Sequence, residues 1–279
     1  MIRLVADSGS TKTDWALISV DAPVRVFSTV GLNPSLMSES EMRAQLEFEL
    51  KPQLKELTVD EVVFYGAGCR PSVAPMLKQL MSEVIGCKNV SVNTDMLGAA
   101  RGLCGGEPAV VCILGTGSNS CVYDGDTIAD NISPLGYILG DEGSGASIGK
   151  RFIGDLFKRK YPQDILERYN HEIGLSLDEI IERVYRTPNA NRFLASLVPF
   201  VKNCIDCKEV ELMIVDEFCC FIQRNIAGYV QATQLPVNFV GSVAFYFSDQ
   251  LTKAMEKCGY KIGKINQHPI TGIIEYHKL

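Results

Sequence analysis

Two Gly/Ser/Thr turns, each set between apolar strand-like runs, constrain this chain more than any other feature. The first is DSGSTKTDW at residues 7–15, after the run Ile2 to Ala6. The second is GTGSN at residues 115–119, after Ala109 to Leu114. Glycine lets a backbone bend tightly and bring its N–H groups close to a ligand. Ser and Thr hydroxyls add donors that suit phosphate oxygens. A single such turn can sit in any β-hairpin. Two of them predict a pair of jaws on one polyphosphate.

The flanking patterns extend the comparison. Ile2–Asp7, Trp15–Asp21 and Val24–Val30 read as three strands of a meander. Gly31-Leu32-Asn33-Pro34 breaks it, and residues 38–57 read as a helix with Ser38 as N-cap and Glu41 at the capping-box position. A strand at Val62–Tyr65, a helix over 72–85, a strand at Val90–Asn93 and a small-residue helix over 97–103 follow. The second half restarts with strands at 109–114, 119–124 and 126–132, then the glycine-rich loop LGDEGSGASIG at 139–149. Residues from about 147 to 235 read as almost wholly helical. A strand at Phe239-Val240, a helix over 244–258, a short strand near 260–265 and an amphipathic stretch over 270–278 close the chain. VVFYGAG (62–68) and VNFVGSV (237–243) agree in register at Val, Phe and Gly. The order of units is the same in both halves. That predicts two related domains, because the period is too long for a solenoid.

A length of 279 residues allows one large or two medium domains, and 46% hydrophobic with 22% charged residues excludes wholesale disorder. Net charge is −6, and the densest basic cluster, Lys158-Arg159-Lys160, falls at a predicted helix end. Helix C-termini favour cations, so no nucleic-acid stripe is read there. No apolar run has the length of a membrane span, and MIRLVADSG lacks the shape of a signal peptide. The ten cysteines show no secreted disulfide spacing and read as reduced thiols of a cytoplasmic protein. Cys204 and Cys207, with Cys219 and Cys220 further on, admit a zinc site. Their helical periodicity and the lack of a nearby His favour buried packing instead.

A nucleoside triphosphate between the jaws would meet Ser8, Gly9, Ser10, Thr11 and Lys12 on one side and Gly115, Thr116 and Gly117 on the other. Asp7 could hold Mg²⁺ through water, since that ion keeps much of its hydration shell. DSGSTKT is no Walker A loop, and GTGSNS leads to a strand rather than the helix of a dinucleotide fingerprint. Phosphoryl transfer needs a group that orients the nucleophile. Asp95 fits that role, and equally fits a plain helix cap. Asn33 and Asn119 offer a donor and an acceptor to sugar hydroxyls, and Asp141 in the glycine-rich loop an acceptor. Gly241 and Ser242 could let an adenosine lie on the backbone, or could form an ordinary strand-to-helix turn.

Taken in order, DSGSTKTDW, TDMLGAARG (94–102), LGTGSN (114–119), GDEGSG (140–145) and FVGSVA (239–244) resemble the motifs of the sugar-kinase/Hsp70/actin superfamily. Within it the chain is most similar to the BadF/BadG/BcrA/BcrD ATPase family and its N-acetylglucosamine kinase-like branch, over nearly its whole length. The resemblance implies an α/β fold of two ribonuclease-H-like, actin-like ATPase domains with an interdomain cleft, the second enlarged by a helical insertion at about 147–235. The domains would be 1–107 and 108–279, with a C-terminal helix at 266–279 free to return to the first. ATP and Mg²⁺ would be the cofactors and an amino sugar the substrate, with no nucleic acid or membrane partner; a homodimer is left open. Asp95 would be the catalytic base, Gly241 and Ser242 the adenosine motif, and Thr116, Asn119, Asp141 and Asn33 the sugar side. Where the branch carries a Gly-Gly-Trp-Gly-like run, this chain has Ser133-Pro134-Leu135-Gly136, which leaves the choice of amino sugar open. Two other readings stand beside this one. An ATPase driving electron transfer to a dehydratase would carry a cluster cysteine where GDEGSGASIG has none. A non-catalytic ATP sensor would be expected to lose the base.

Overall fold

Alternation along the first strands decides which faces are buried. Leu4, Ala6, Trp15, Leu17, Val62 and Phe64 share one core, while Val5, Ala16, Ile18, Val63 and Tyr65 share another. Successive side chains of a strand point to opposite faces, so a strand apolar at every position must be covered on both. The computed structural model describes residues 1–55 and 57–278, and provides that cover. Glu56, inside the helix predicted over 38–57, and Leu279, the end of the predicted stretch 266–279, lie outside the described residues.

The first sheet runs β3-β2-β1-β4-β5. Its strands are β1 (Ile2–Ser8), β2 (Lys12–Ser19), β3 (Arg25–Val30), β4 (Glu61–Gly66) and β5 (Val90–Thr94). β1, β2 and β3 pair antiparallel, whereas β1–β4 and β4–β5 pair parallel. The second sheet repeats this order and sense with β6 (Ala109–Leu114), β7 (Ser118–Tyr123), β8 (Ile128–Asp130), β9 (Val237–Val240) and β10 (Ile262–Asn266). The ribonuclease-H-like arrangement therefore occurs twice. VVFYGAG and VNFVGSV fall on β4 and β9, the equivalent positions of the two sheets.

The chain divides into two compact units: Met1–Glu107, Asp124–Thr127 and His268–Leu279 form one, and Pro108–Tyr123 with Ile128–Gln267 the other. In the first unit, the helices Glu39–Gln45 and Ala74–Ile85 cover one face of the sheet. Ser38 and Glu41 form the predicted capping box. The predicted helix does not continue regularly; it passes through a π-helical turn at Leu46–Leu50 into Lys51–Leu54, which keeps Leu46, Leu50 and Leu54 buried. The other face is covered by the helices Asp95–Cys104 and Pro269–Tyr276, the latter through Ile270 and Ile273. Arg3 Nη1 donates to the His277 carbonyl at 2.6 Å, and the Tyr65 hydroxyl lies 2.8 Å from His277 Nε2.

In the second unit Val110, Cys112, Leu114 and Phe239 pack under the helices Gly145–Phe157, Lys208–Phe221 and Ser248–Cys258. The glycine-rich stretch is shorter as a loop than the sequence suggests. Gly145 to Gly149 already form the first turns of a helix, because Ser144 caps it by accepting from Ser147 N–H. The helix predicted over 244–258 breaks at Phe247 and begins at Ser242. Among the described residues no helix is long and apolar enough to cross a membrane. Nor does any group of three or more His, Cys, Asp or Glu among them form a metal cage. Cys204 and Cys219 are buried as core thiols, but Cys207 is half-buried and Cys220 exposed, which corrects the reading of all four as packing residues.

Candidate functional site

The first turn is held from within. Gly9 N–H donates to the Lys12 carbonyl at 2.9 Å, and Gly31 N–H to Thr11 at 3.1 Å. Ser8 is fully buried, and its hydroxyl bonds Thr13 Oγ1 at 2.7 Å and the Leu32 carbonyl at 3.1 Å. It is spent inside the hairpin, which leaves Gly9, Ser10 and Thr11 at the tip. Asn33, buried beneath, donates from Nδ2 to Ser10 Oγ at 2.8 Å and accepts from Ser35 N–H. Lys12 pairs with Asp14 at 2.8 Å. Gly31 escaped the sequence reading as anything but a break. A Cβ there would lie 2.3 Å from the Gly9 carbonyl oxygen and 2.8 Å from Thr11 N, so only glycine lets the strand end pass beneath the turn.

Asp7 is the penultimate residue of β1 and Asp95 follows β5 in the same unit. The cap of the Asp95 helix is Thr94, whose hydroxyl accepts from Leu97 N–H at 3.3 Å. That resolves the cap reading: Asp95 is the first helical residue, and its carboxylate accepts from Met96 N–H at 2.9 Å. Burial raises the Asp95 pKa, partly offset by that amide. Asp7 is pushed up to about 7, first by burial and then by the charges of Asp95 and Asp14, against a smaller lowering from Lys12. Both acids thus resist ionisation, Asp7 in part because of the Asp95 charge.

In the second unit, Gly115 N–H donates to Gly117 at 2.9 Å and closes the second turn. Gly145 and Ala146 at the next helix start donate to the Gly115 and Thr116 carbonyls at 2.8 and 3.1 Å. Asp141 has a left-handed backbone (φ 56°), is buried, and accepts from Ser118 N–H at 3.3 Å. Burial raises its pKa, and Glu142 adds to this. Glu142 is itself paired with Arg224 at 2.5 Å. Asn119 Oδ1 accepts from Ser120 N–H and Asn131 Nδ2.

Gly115 and Thr116 line a cleft of about 400 Å³ together with Ser242 and Val243, so two motifs far apart in sequence meet within this unit. Gly241 adopts φ 119°, and a Cβ there would lie 2.3 Å from the Leu114 carbonyl oxygen, so glycine lets β9 turn into the Ser242 helix beside the second turn. Val198, Pro199, Lys202, Asn203 and Tyr246 complete the walls. Sequence reasoning missed these, because the helical insertion carries no local signal of what its Val198–Asn203 helix will face.

No protein-family model and no curated protein matches the chain. Solved structures do. A putative N-acetylglucosamine kinase from Porphyromonas gingivalis is 44% identical over 98% of both chains, with a TM-score of 0.94. The chain belongs to that protein's family, a branch of the actin-like ATPase sugar kinases. A second protein of the same description, from Chromobacterium violaceum, shares the fold at 19% identity and TM-score 0.78, covering 99% of this chain and 98% of its own. A ROK family glucokinase from Streptomyces griseus, solved with glucose and AMPPNP, shares it at 14% identity and TM-score 0.61, covering 99% and 98%.

Proposed function

We propose that this sugar kinase transfers the γ-phosphoryl group of ATP to a hydroxyl of an amino sugar, N-acetylglucosamine or a close relative, in the cytoplasm, and that it is a member of the BadF/BadG/BcrA/BcrD ATPase family. The observation that carries the nucleotide half is the cleft shared by Gly115, Thr116, Ser242 and Val243. Its volume suits a nucleoside, a wall of backbone and small side chains lets a base lie close, and Gly115 and Thr116 at one end offer a hydrogen-bonding rim to phosphates. Ser10, Thr11 and Lys12 serve as the second phosphate contact, while the Gly9 amide, sequence-predicted for that role, is spent on the Lys12 carbonyl within the turn. Asn33, Asn119 and Asp141 recognise the sugar, with Asn33 also fixing Ser10.

Asp95 acts as general base. A carboxylate with a raised pKa is a better proton acceptor, and its Met96 hydrogen bond fixes its orientation. It takes the proton of the attacking hydroxyl as the oxygen approaches phosphorus in line with the leaving ADP. The residues fit Mg²⁺ as well. Asp7 is a hard oxygen donor whose charge its surroundings leave poorly compensated, and with no three-residue cage among the described residues it would hold the ion through water. Bound there, Mg²⁺ would neutralise phosphate charge.

The test is ADP release, measured in a coupled assay over a panel of amino sugars with Mg·ATP. One acceptor should stand clearly above the rest, with N-acetylglucosamine among the best. Equal and very slow turnover on every sugar, indistinguishable from the rate without acceptor, would overturn the reading.

A further inference from the structure

The helix Asp95–Cys104 begins with the acid that faces the acceptor, but its closest neighbour lies near its other end. Gly102 stands two turns after Asp95 on the same side of the helix. The helix Pro269–Tyr276 packs against it backbone to backbone. A Cβ on Gly272 would run into the Gly102 carbonyl oxygen, 2.6 Å from the carbonyl carbon and 2.9 Å from Gly102 Cα. A Cβ on Gly102 would lie 3.1 Å from the Ile273 nitrogen and from the Pro269 carbonyl oxygen. Neither glycine has a left-handed backbone, so closeness alone demands it.

Tyr65 of β4 braces the Asp95 helix from another side. A Cβ on Gly98 would lie 2.7 Å from Tyr65 Cβ and Cγ. The buried Tyr65 carries its hydroxyl to Arg101, whose Nη1 donates at 3.1 Å, and to His277 Nε2 at 2.8 Å, just past the C-terminal helix. Tyr65 also pairs with Asp7 across β1 and with Asn93 on β5, the strand that leads into Asp95. One frame therefore joins Asp7, Tyr65 and both helices, all within the first unit.

We propose that Gly272 is a positioning residue for phosphoryl transfer: it lets the C-terminal helix seat the Asp95 helix against Tyr65, and so fixes where the base stands. The proposal rests on the reading of Asp95 as general base. Carbon–carbon contacts ordinarily measure about 3.5–4.0 Å, so a methyl at position 272 drives the two helices about 1 Å apart. Ile270 and Ile273 hold the C-terminal helix in the core of the sheet, and the short Asp95 helix takes up the shift as a unit. A misplacement of about 1 Å at a reacting group costs about 10²-fold in rate. Alanine favours a helix more than glycine does, so only the contact opposes the substitution.

The test measures acceptor-dependent ADP release by full-length variants with Mg·ATP and the best amino sugar. Gly272→Ala should lower kcat by about 10²-fold and leave both KM values within about threefold of wild type. Added to Asp95→Asn it should cost nothing further, because it acts through that carboxylate. Ile270→Val loosens the same helix without pressing on Gly102 and should keep its kcat. A wild-type kcat for Gly272→Ala, an equal loss in Ile270→Val, or losses that multiply in the double variant would overturn the proposal. Should Gly272→Ala fail to fold, Tyr65→Phe carries the same cycle; without the hydroxyl joining Arg101 to His277 it should lose about threefold to tenfold in kcat, again with no further loss on Asp95→Asn. A crystal structure of the folded variant supplies a readout free of activity. Asp95 displaced from its place beside β5 supports the proposal, and an unmoved Asp95 overturns it, even if no sugar proves to be a substrate. Wild-type turnover by Asp95→Asn would instead overturn the assignment of the base, with the clamp still decided by that structure.

Discussion

Replacing Asp7 by Asn preserves the shape at the end of β1 and removes a charge that the fold resists. The Asp7 carboxyl titrates at about 7 in the folded chain, against an ordinary 3.8, mainly because it is buried and then because Asp95 and Asp14 repel its charge. At about 1.4 kcal/mol per pH unit, the charged form is disfavoured by at most about 4 kcal/mol at pH 8. Solvent reaching the half-buried group reduces this to about 1–2 kcal/mol. Between about pH 4 and about pH 7 the folded chain keeps a proton that the unfolded chain has released, so stability falls as pH rises through that window and levels off above it. Asp7→Asn should therefore be more stable than wild type by about 1–2 kcal/mol at pH 8, with the gap narrowing toward pH 5. Its sugar-dependent ADP release should drop sharply at the same time. Urea unfolding of the full chain at both pH values, without nucleotide or Mg²⁺, measures the gap. A variant no more stable than wild type at pH 8, or a gap that does not shrink in acid, would refute the electrostatic account of this acidic pair.

Asp95→Asn keeps an oxygen for the Met96 amide and should fold normally, yet lose roughly 10²–10⁴-fold in kcat with little change in sugar KM; single-turnover rates near wild type would remove Asp95 from the role of base. Gly31→Ala places a methyl against the Gly9 carbonyl and Thr11 amide. It should cost about 1–3 kcal/mol in urea unfolding and raise the KM for ATP more than it lowers kcat; a wild-type unfolding midpoint would show that the turn yields freely. His277 is held at about 4, below the ordinary 6.5, by burial and then by Arg3 and Arg101. The folded chain keeps it neutral where the unfolded chain protonates, so stability is lost as pH falls from about 6.5 toward 4. After allowance for solvent exposure, His277→Gln should recover about 1 kcal/mol at pH 5; equal stability of both proteins there would contradict this.

Much of the fold was legible because its signals are local. The continuous apolar runs of β1 and β2, the Ser38-x-x-Glu41 cap and the Gly241 turn each depend on residues a few positions apart. The repeat of order between the halves was legible too, since a shared topology leaves its strand–turn spacing in the chain. Errors arose where a tertiary partner outbid local pattern. The helix after Ser38 takes a π-helical turn to keep three leucines in one core, and the helix after Gly241 begins earlier than its apolar run and breaks at Phe247. Asp95 could be a cap or a functional acid on sequence grounds, and the Thr94 hydroxyl, which accepts from Leu97 N–H, takes the capping position from it.

The sequence alone determined the two sheets, their turns and the acids that follow the strands, because backbone geometry and side-chain periodicity are written over short spans. Tertiary structure alone decided which turn meets which. Gly115 and Thr116 share a cleft with Ser242 and with the Val198–Asn203 helix through parallel pairing of β6 with β9 and the packing of the helical insertion. It also decided that Asp7 resists ionisation. Burial and charge–charge repulsion depend on distance in space, and a linear sequence fixes those distances only after the chain has packed.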